Sequence, residues 1–173
     1  VIGGGLNAGA GQYIDLPNKH NSLNVSASNW TMQAWAKPSS IFWVNLVNAG
    51  NYGIEGAGNS RWGLLQADYI VACADSGPSG SFQHVMATRS GTAYNMYING
   101  SLQSSVYPEG NWGLGSVYRI GAGYYGSFAG SVDEVRIEGV ARSSNWVWAC
   151  YMNMASNSFF NTPSQVQSFW LSA

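Results

Sequence analysis

Thr92-Ala93-Tyr94-Asn95-Met96-Tyr97-Ile98-Asn99-Gly100-Ser101-Leu102-Gln103-Ser104 is the stretch that decides the fold class. Its first seven residues alternate with the period of a strand. Asn99-Gly100 supplies the two positive-φ positions of a type I′ turn, and Ser101 to Ser104 returns. A tight antiparallel hairpin is therefore expected here. The same texture spreads in both directions, as short alternating runs separated by Gly, Asn and Ser clusters. Trp30-Thr31-Met32-Gln33-Ala34-Trp35-Ala36 puts Trp30, Met32, Ala34 and Ala36 on one face and Thr31, Gln33 and Trp35 on the other, and Lys37-Pro38 ends it. Further strands are read at 12–16, 41–49, 52–55, 62–65, 69–74, 82–89, 117–121 and 131–138. In the last of these, Asp133 shares a face with Val135 and Ile137, opposite Glu134, Arg136 and Glu138. A single short helix follows over 145–152, with Ser143 or Ser144 as its N-cap.

Composition excludes several functions. The 173 residues carry 7 Lys plus Arg and 8 Asp plus Glu, so the formal net charge is -1, and only 9% of residues are charged. Seven scattered cations cannot form a phosphate-neutralising stripe, so no nucleic-acid partner is expected. No apolar run approaches the roughly 18 residues of a membrane span. Aromatics make up 14%, too many for a disordered chain. No linker or internal repeat appears, so residues 1–173 read as one domain with apolar terminal segments at 1–6 and 164–173. A compact protein of this mass exposes about 8,000 Å², so each charge serves a large area. Such a surface calls for glycans, neighbouring subunits or neutral polar cover.

Five segments, in order, resemble the laminin-G-like domains of the concanavalin A-like lectin/glucanase superfamily. They are Gln12-Tyr13-Ile14-Asp15-Leu16-Pro17, Trp30 to Pro38, Phe82 to Arg89, Tyr94 to Gly100, and Phe128 to Ile137 followed by Ala141-Arg142-Ser143. The resemblance spans about residues 5–165. It implies an all-β, two-sheet antiparallel jelly roll with one short C-terminal helix, and it leaves the function open, because relatives include sugar-binding modules, adhesion modules and glycan-cleaving enzymes. Gly5-Leu6-Asn7-Ala8-Gly9, which is similar to an internal segment of that pattern, lies almost at the N-terminus, so a first strand is missing by comparison.

Catalysis finds little support. Glycoside hydrolysis needs two carboxylates about 5–9.5 Å apart. The ExDxxE strand of the superfamily's glucanases is not matched by Asp133-Glu134-Val135-Arg136-Ile137-Glu138. His84 reads as a satisfied strand histidine. No cofactor is expected beyond a structural calcium ion, for which Asp133 and Asp15 are the candidate ligands and Asp75 a weaker one; the competing reading of Asp133 is a carboxylate accepting backbone N–H bonds. Aromatic platforms for sugars, or equally for a subunit interface, are Trp112, Tyr124, Tyr125 and Trp62, with Trp43 and Tyr52 behind them. Asn24, Asn29 and Asn99 open glycosylation sequons. Cys73 and Cys150, 77 positions apart, are expected to form one structural disulfide in an exported protein, the alternative being two buried thiols.

The chain starts at Val1, which fits a mature exported protein at the cell surface or outside the cell. Sparse charge and apolar ends favour a non-catalytic structural protein. Its copies would self-assemble into a filament, appendage or surface layer through Val1, Ile2, Phe169, Trp170 and Leu171. The alternative is a carbohydrate-binding or adhesion module with glycans as partners.

Overall fold

The organising strand is β3, Asn29–Pro38, which is buried on both faces along most of its length. In the computed structural model, which describes residues 6–16, 28–39, 44–57, 61–66, 69–103, 105–106, 117–123 and 126–155, it lies third in a six-stranded sheet. That sheet runs β1 (Leu6–Ala8), β13 (Gly130–Glu138), β3, β8 (Gln83–Ser90), β9 (Ala93–Ile98), β10 (Ser101–Leu102). The facing sheet has seven strands. In order they are β11 (Ser105–Val106), β7 (Tyr69–Cys73), β6 (Arg61–Gln66), β5 (Tyr52–Ala57), β4 (Val44–Gly50), β12 (Val117–Ile120) and β2 (Ile14–Asp15). All pairings are antiparallel. The jelly-roll sandwich and its hairpin are as expected: Asn99 and Gly100 have φ of 51° and 78°. Gly100 is also required sterically, since a Cβ there would lie 3.0 Å from the Tyr151 ring.

The core between the sheets follows from the alternation. Trp30, Met32, Ala34 and Ala36 of β3 are fully buried and meet Leu46, Ile54, Trp62, Leu64 and Phe128. Burying each large apolar side chain contributes roughly 1.5–3 kcal/mol. Trp30 and Tyr52 join the sheets directly, with ring centroids 4.8 Å apart. Arg89 lies over both Tyr52 and Tyr94 and donates to the Tyr52 hydroxyl.

The other face of β3 is covered by α1, Ser144–Ala155. Val147 and Trp146 pack on Met86 and Tyr97, and Tyr151 stacks on Trp35 with centroids 5.8 Å apart. Ser143 is the N-cap: its carbonyl accepts Val147 N–H and its hydroxyl accepts Trp146 N–H. The link from β13 to α1 is pinned twice. Thr31 Oγ1 donates to Val140 O and accepts Arg142 N–H, at 2.7 and 3.0 Å. Arg142 grips Glu138 with two bonds of 2.9 and 2.7 Å.

The Leu6–Ala8 segment forms β1 and pairs with β13 at one edge of its sheet; a strand preceding it would lie outside the described residues. Two expectations change. First, β13 does not alternate simply. Glu134 has φ 49° and the register shifts between Asp133 and Arg136, so Asp133 faces outward opposite Trp35 while Ile137 faces the core opposite Met32. Second, Cys73 and Cys150 are not joined. Cys73 belongs to the seven-stranded sheet, whereas Cys150 rides on a helix packed outside the six-stranded one, so the sandwich separates them. A disulfide requires Cα atoms within about 7 Å.

Both thiols should therefore alkylate without reductant. Burial pushes the Cys150 thiol up, so this half-buried group reacts slowly in the native protein, and the buried Cys73 reacts once the chain is unfolded. Intact mass after alkylation in buffer and in denaturant checks this; a pair that stays unreactive in denaturant until reduced would contradict it.

Candidate functional site

The segment Leu6 to Leu16 crosses from the edge of one sheet to the edge of the other. It forms β1, turns, and then forms β2. The turn is closed from both sides: Gln12 N–H donates to Gly9 O at 3.0 Å, and Gly9 N–H donates to Gln12 Oε1 at 2.8 Å. Gly11, at φ 84°, donates its N–H to Ser127 Oγ at 2.8 Å. Leu16 N–H donates to Tyr118 O at 2.8 Å, tying the far end to β12.

Inside this crossing lies a cleft of about 460 Å³ lined by Leu6, Ala8, Gly11, Gln12, Tyr13 and Ile14. Tyr13, Ile14 and Leu6 are 46%, 42% and 40% exposed, unusual for large apolar side chains in this protein. The Tyr13 ring is held in place. Arg119 places its guanidinium 4.4 Å from the ring centroid, and its Nε donates to Asp15 Oδ1 at 2.7 Å. The Asp15 bond raises the Arg119 pKa further. An exposed ion pair of this kind contributes little stability, about 0.2–1 kcal/mol; its effect here is to orient the ring. An aromatic face, apolar walls and one amide at the rim suit a ligand with an apolar face and a few hydroxyls.

A second polar group lies on the outer face of the seven-stranded sheet. Cross-strand register aligns Asn45, Glu55, Gly63 and Cys73 in one row. Asn45 and Glu55 are nevertheless buried, and Asn45 Nδ2 and Glu55 Oε2 have no hydrogen-bond partner among the described residues. Gly123 passes so close that a Cβ on it would collide with the Asn45 and Asn48 amides, and Asn48 Nδ2 donates to Ala122 O at 2.9 Å. Burial raises the Glu55 pKa to about 7. Glu55 does not form an acid pair with Asp15, which lies three strands away, about 14 Å at normal strand spacing. That is too far for the two-carboxylate chemistry of glycoside cleavage.

The sequence candidates are scattered. Trp62 is a core residue, fully buried with Nε1 donating to Gln83 Oε1, so it cannot be a surface platform. Asp15 is engaged by Arg119. Asp133 accepts Glu134 N–H at 2.8 Å, and its Oδ2 is unpartnered among the described residues. No cluster of three His, Cys, Asp or Glu side chains able to hold a metal occurs among the described residues. Asn29 Oδ1 accepts Gly91 N–H, and Asn99 Oδ1 accepts His84 N–H at 2.9 Å. Val1, Ile2, Asn24, Trp43, Trp112, Tyr124, Tyr125, Phe169, Trp170 and Leu171 lie outside the described residues. Tyr13 and Glu55 were not singled out from sequence. Tyr13 fell within the 12–16 strand and Glu55 at the end of the 52–55 strand, and neither carried a further signal.

A laminin-G-type family model of the concanavalin A-like lectin/glucanases superfamily matches residues 8–147. The chain belongs to this superfamily. No curated protein matches it in sequence. Among solved structures, this concanavalin A-like chain is similar to the CBM40 of Ruminococcus gnavus IT-sialidase bound to α2,3-sialyllactose. The TM-score is 0.67 at 16% identity, covering 85% of this chain and 96% of that one. It is also similar to domain 4 of AbnA, an extracellular GH43 arabinanase from Geobacillus stearothermophilus, in complex with arabinotriose (TM-score 0.55, 21% identity, 73% and 68% covered). Trypanosoma rangeli sialidase in complex with sialic acid gives TM-score 0.54 at 15% identity; the match covers 74% of this chain but only 23% of that enzyme. These neighbours overturn the expectation of a self-assembling filament and favour the carbohydrate-binding alternative.

The two buried titratable groups generate opposing pH effects. His84 is fully buried beneath α1, and burial, followed by Arg136, lowers its pKa to about 4. The unfolded chain therefore takes up the proton first, and stability falls as pH drops from 6.5 towards 4. Glu55 is raised to about 7, so the unfolded chain loses its proton first and stability falls as pH rises from 4.5 to 7. Each effect is about 3 kcal/mol at most. Denaturant melts of the wild type should be nearly flat between pH 4.5 and 6.5. Glu55→Gln should gain stability with rising pH over that window, and His84→Phe should lose it; parallel profiles for all three would refute this account.

Proposed function

We propose that this chain is a non-catalytic carbohydrate-binding module of an exported protein, lectin-like in action, with its glycan seated in the cleft between β1 and β2. The observation that carries this reading is the exposed Tyr13 ring, held on Arg119 and lining an apolar-walled cleft. Tyr13 is the platform for the C–H face of a sugar ring. The Gln12 amide and the Gly11 backbone lie at the rim for hydroxyls. Arg119 and Asp15 are positioning residues that hold the ring flat. The likeness to glycan-bound modules supports the reading at the level of the fold, and the extracellular arabinanase domain supports an exported setting.

None of the described lining residues is a carboxylate, and binding is proposed to be independent of calcium. Isothermal titration or array binding with and without chelator tests this. Tyr13→Ala should weaken glycan binding by about tenfold, since an aromatic contact contributes about 1–1.5 kcal/mol. Tyr13→Trp should preserve it, and Arg119→Leu should weaken it less than Tyr13→Ala. Unchanged affinity in Tyr13→Ala would remove the cleft from the proposal.

A further inference from the structure

We infer that α1 is an acid-released cover: protonating His84 lifts the helix off the six-stranded sheet while the two-sheet core stays folded. This inference stands apart from the carbohydrate-binding reading.

His84 is fully buried, and neither of its ring nitrogens has a hydrogen-bond partner among the described residues. Its ring packs against Trp35 and Tyr151, with centroids 5.3 and 6.3 Å away. A protonated imidazole has two N–H donors to satisfy and a charge that needs water or an anion. The groups packed around it on the described elements supply neither. Arg136 of β13 is a cation, as is Lys37, which shares a face of β3 with Trp35. Asp133 is in the same cross-strand row as His84 but lies two strands away, beyond Trp35, about 10 Å at normal spacing. Glu134 is bound to Arg136 and Glu138 to Arg142. Cys150 and Tyr151 of α1 and Tyr97 of β9 add a thiol and two phenols, and α1 holds no Asp, Glu, Lys, Arg or His. Burial, followed by Arg136, accordingly lowers the His84 pKa to about 4.

The histidine is fixed and the helix is free to move. The His84 backbone pairs with Trp35 of β3, donates its N–H to Asn99 Oδ1 and accepts Asn99 N–H at its carbonyl. By contrast, Val147 is the one fully buried side chain of α1. With Trp146 it packs on Met86 and Tyr97, in a cluster separate from the core between the sheets. An element with so little burial opens at lower cost than the core. Its hinge is the segment before Ser143, where Arg142 N–H is held by Thr31 Oγ1. Arg142 also holds the Glu138 pKa below its ordinary value, so this clamp persists into acid.

The two cysteines report on the two layers separately. Cys150 rides on α1, whereas Cys73 is buried in the seven-stranded sheet. A pyridyl disulfide, which labels thiols even in acid, is applied between pH 7 and pH 4, and each rate is normalised to that of the unfolded chain at the same pH. Once the helix is open, His84 returns from about 4 to its ordinary 6.5. The closed form therefore takes up its proton last, and opening grows as pH falls from 6.5 towards 4. The normalised Cys150 rate is expected to rise over that window, by up to about 300-fold, with Cys73 still protected. His84→Phe and His84→Gln, which cannot titrate, should abolish the rise. Simultaneous labelling of both thiols in acid would mean that the whole sandwich unfolds, and overturns the inference. A Cys150 rate that stays flat, or that rises equally in a folded His84 variant, overturns it as well.

Discussion

Burial of both faces of β3 is the constraint on which the rest depends. A strand with Trp30, Met32, Ala34 and Ala36 on one side and Gln33 and Trp35 on the other cannot stop at a two-sheet sandwich. Its second face needs a cover, and α1 supplies it. The cover works because the chain leaving β13 is anchored to β3 itself through Thr31, while Glu138 clamps Arg142. The helix then places Tyr151 over Trp35 and His84. It covers the outer face of the six-stranded sheet over Met86, Tyr97, Trp35 and His84. On the seven-stranded sheet Asn45 and Glu55 are buried in turn. The exposed Tyr13 and its cleft lie at the edge of the sandwich.

The described edges also bear on the expectation of self-assembly. An exposed edge invites another strand in proportion to its unpaired length. Among the described residues the four edge strands β1, β10, β11 and β2 have three, two, two and two residues. A neighbour would gain few main-chain bonds from any of them. Sparse charge, read from composition as a sign of assembly, does not by itself imply an interface.

Much of the fold was legible because its signals are local. Alternation placed the core side of β3, Asn99-Gly100 placed the hairpin turn, and Ser143 marked the start of α1. What could not be read depends on tertiary context. The bulge at Glu134 reverses the phase of β13 without any Gly or Pro to announce it, which is why Asp133 was placed on the wrong face. Trp62 and Tyr13 are both aromatic residues in short alternating runs. One is central in its sheet and lies in the core, whereas the other lies at an edge and is half-exposed, and only strand order distinguishes them. Glu55 has the pattern of a solvated carboxylate. Its burial is a tertiary effect, which neither period nor propensity encodes.

The charge distribution links composition to recognition. Six of the charged side chains are consumed in pairs, Asp15 with Arg119, Glu134 with Arg136 and Glu138 with Arg142. Glu55 is buried, and a carboxyl with a pKa near 7 carries only part of its charge at neutral pH. Arg89 is spread over two tyrosine rings. Charges neutralised or delocalised in this way exert little long-range attraction on ionic partners, and short-range contacts gain weight. Ring stacking and neutral hydrogen bonds are such contacts. Tyr13 lies on the Arg119 guanidinium, whose Nε is bound to Asp15, and offers an exposed aromatic face. The Asp15–Arg119 pair orients a ring and adds no net charge, in keeping with the low charge that marked the sequence at the outset.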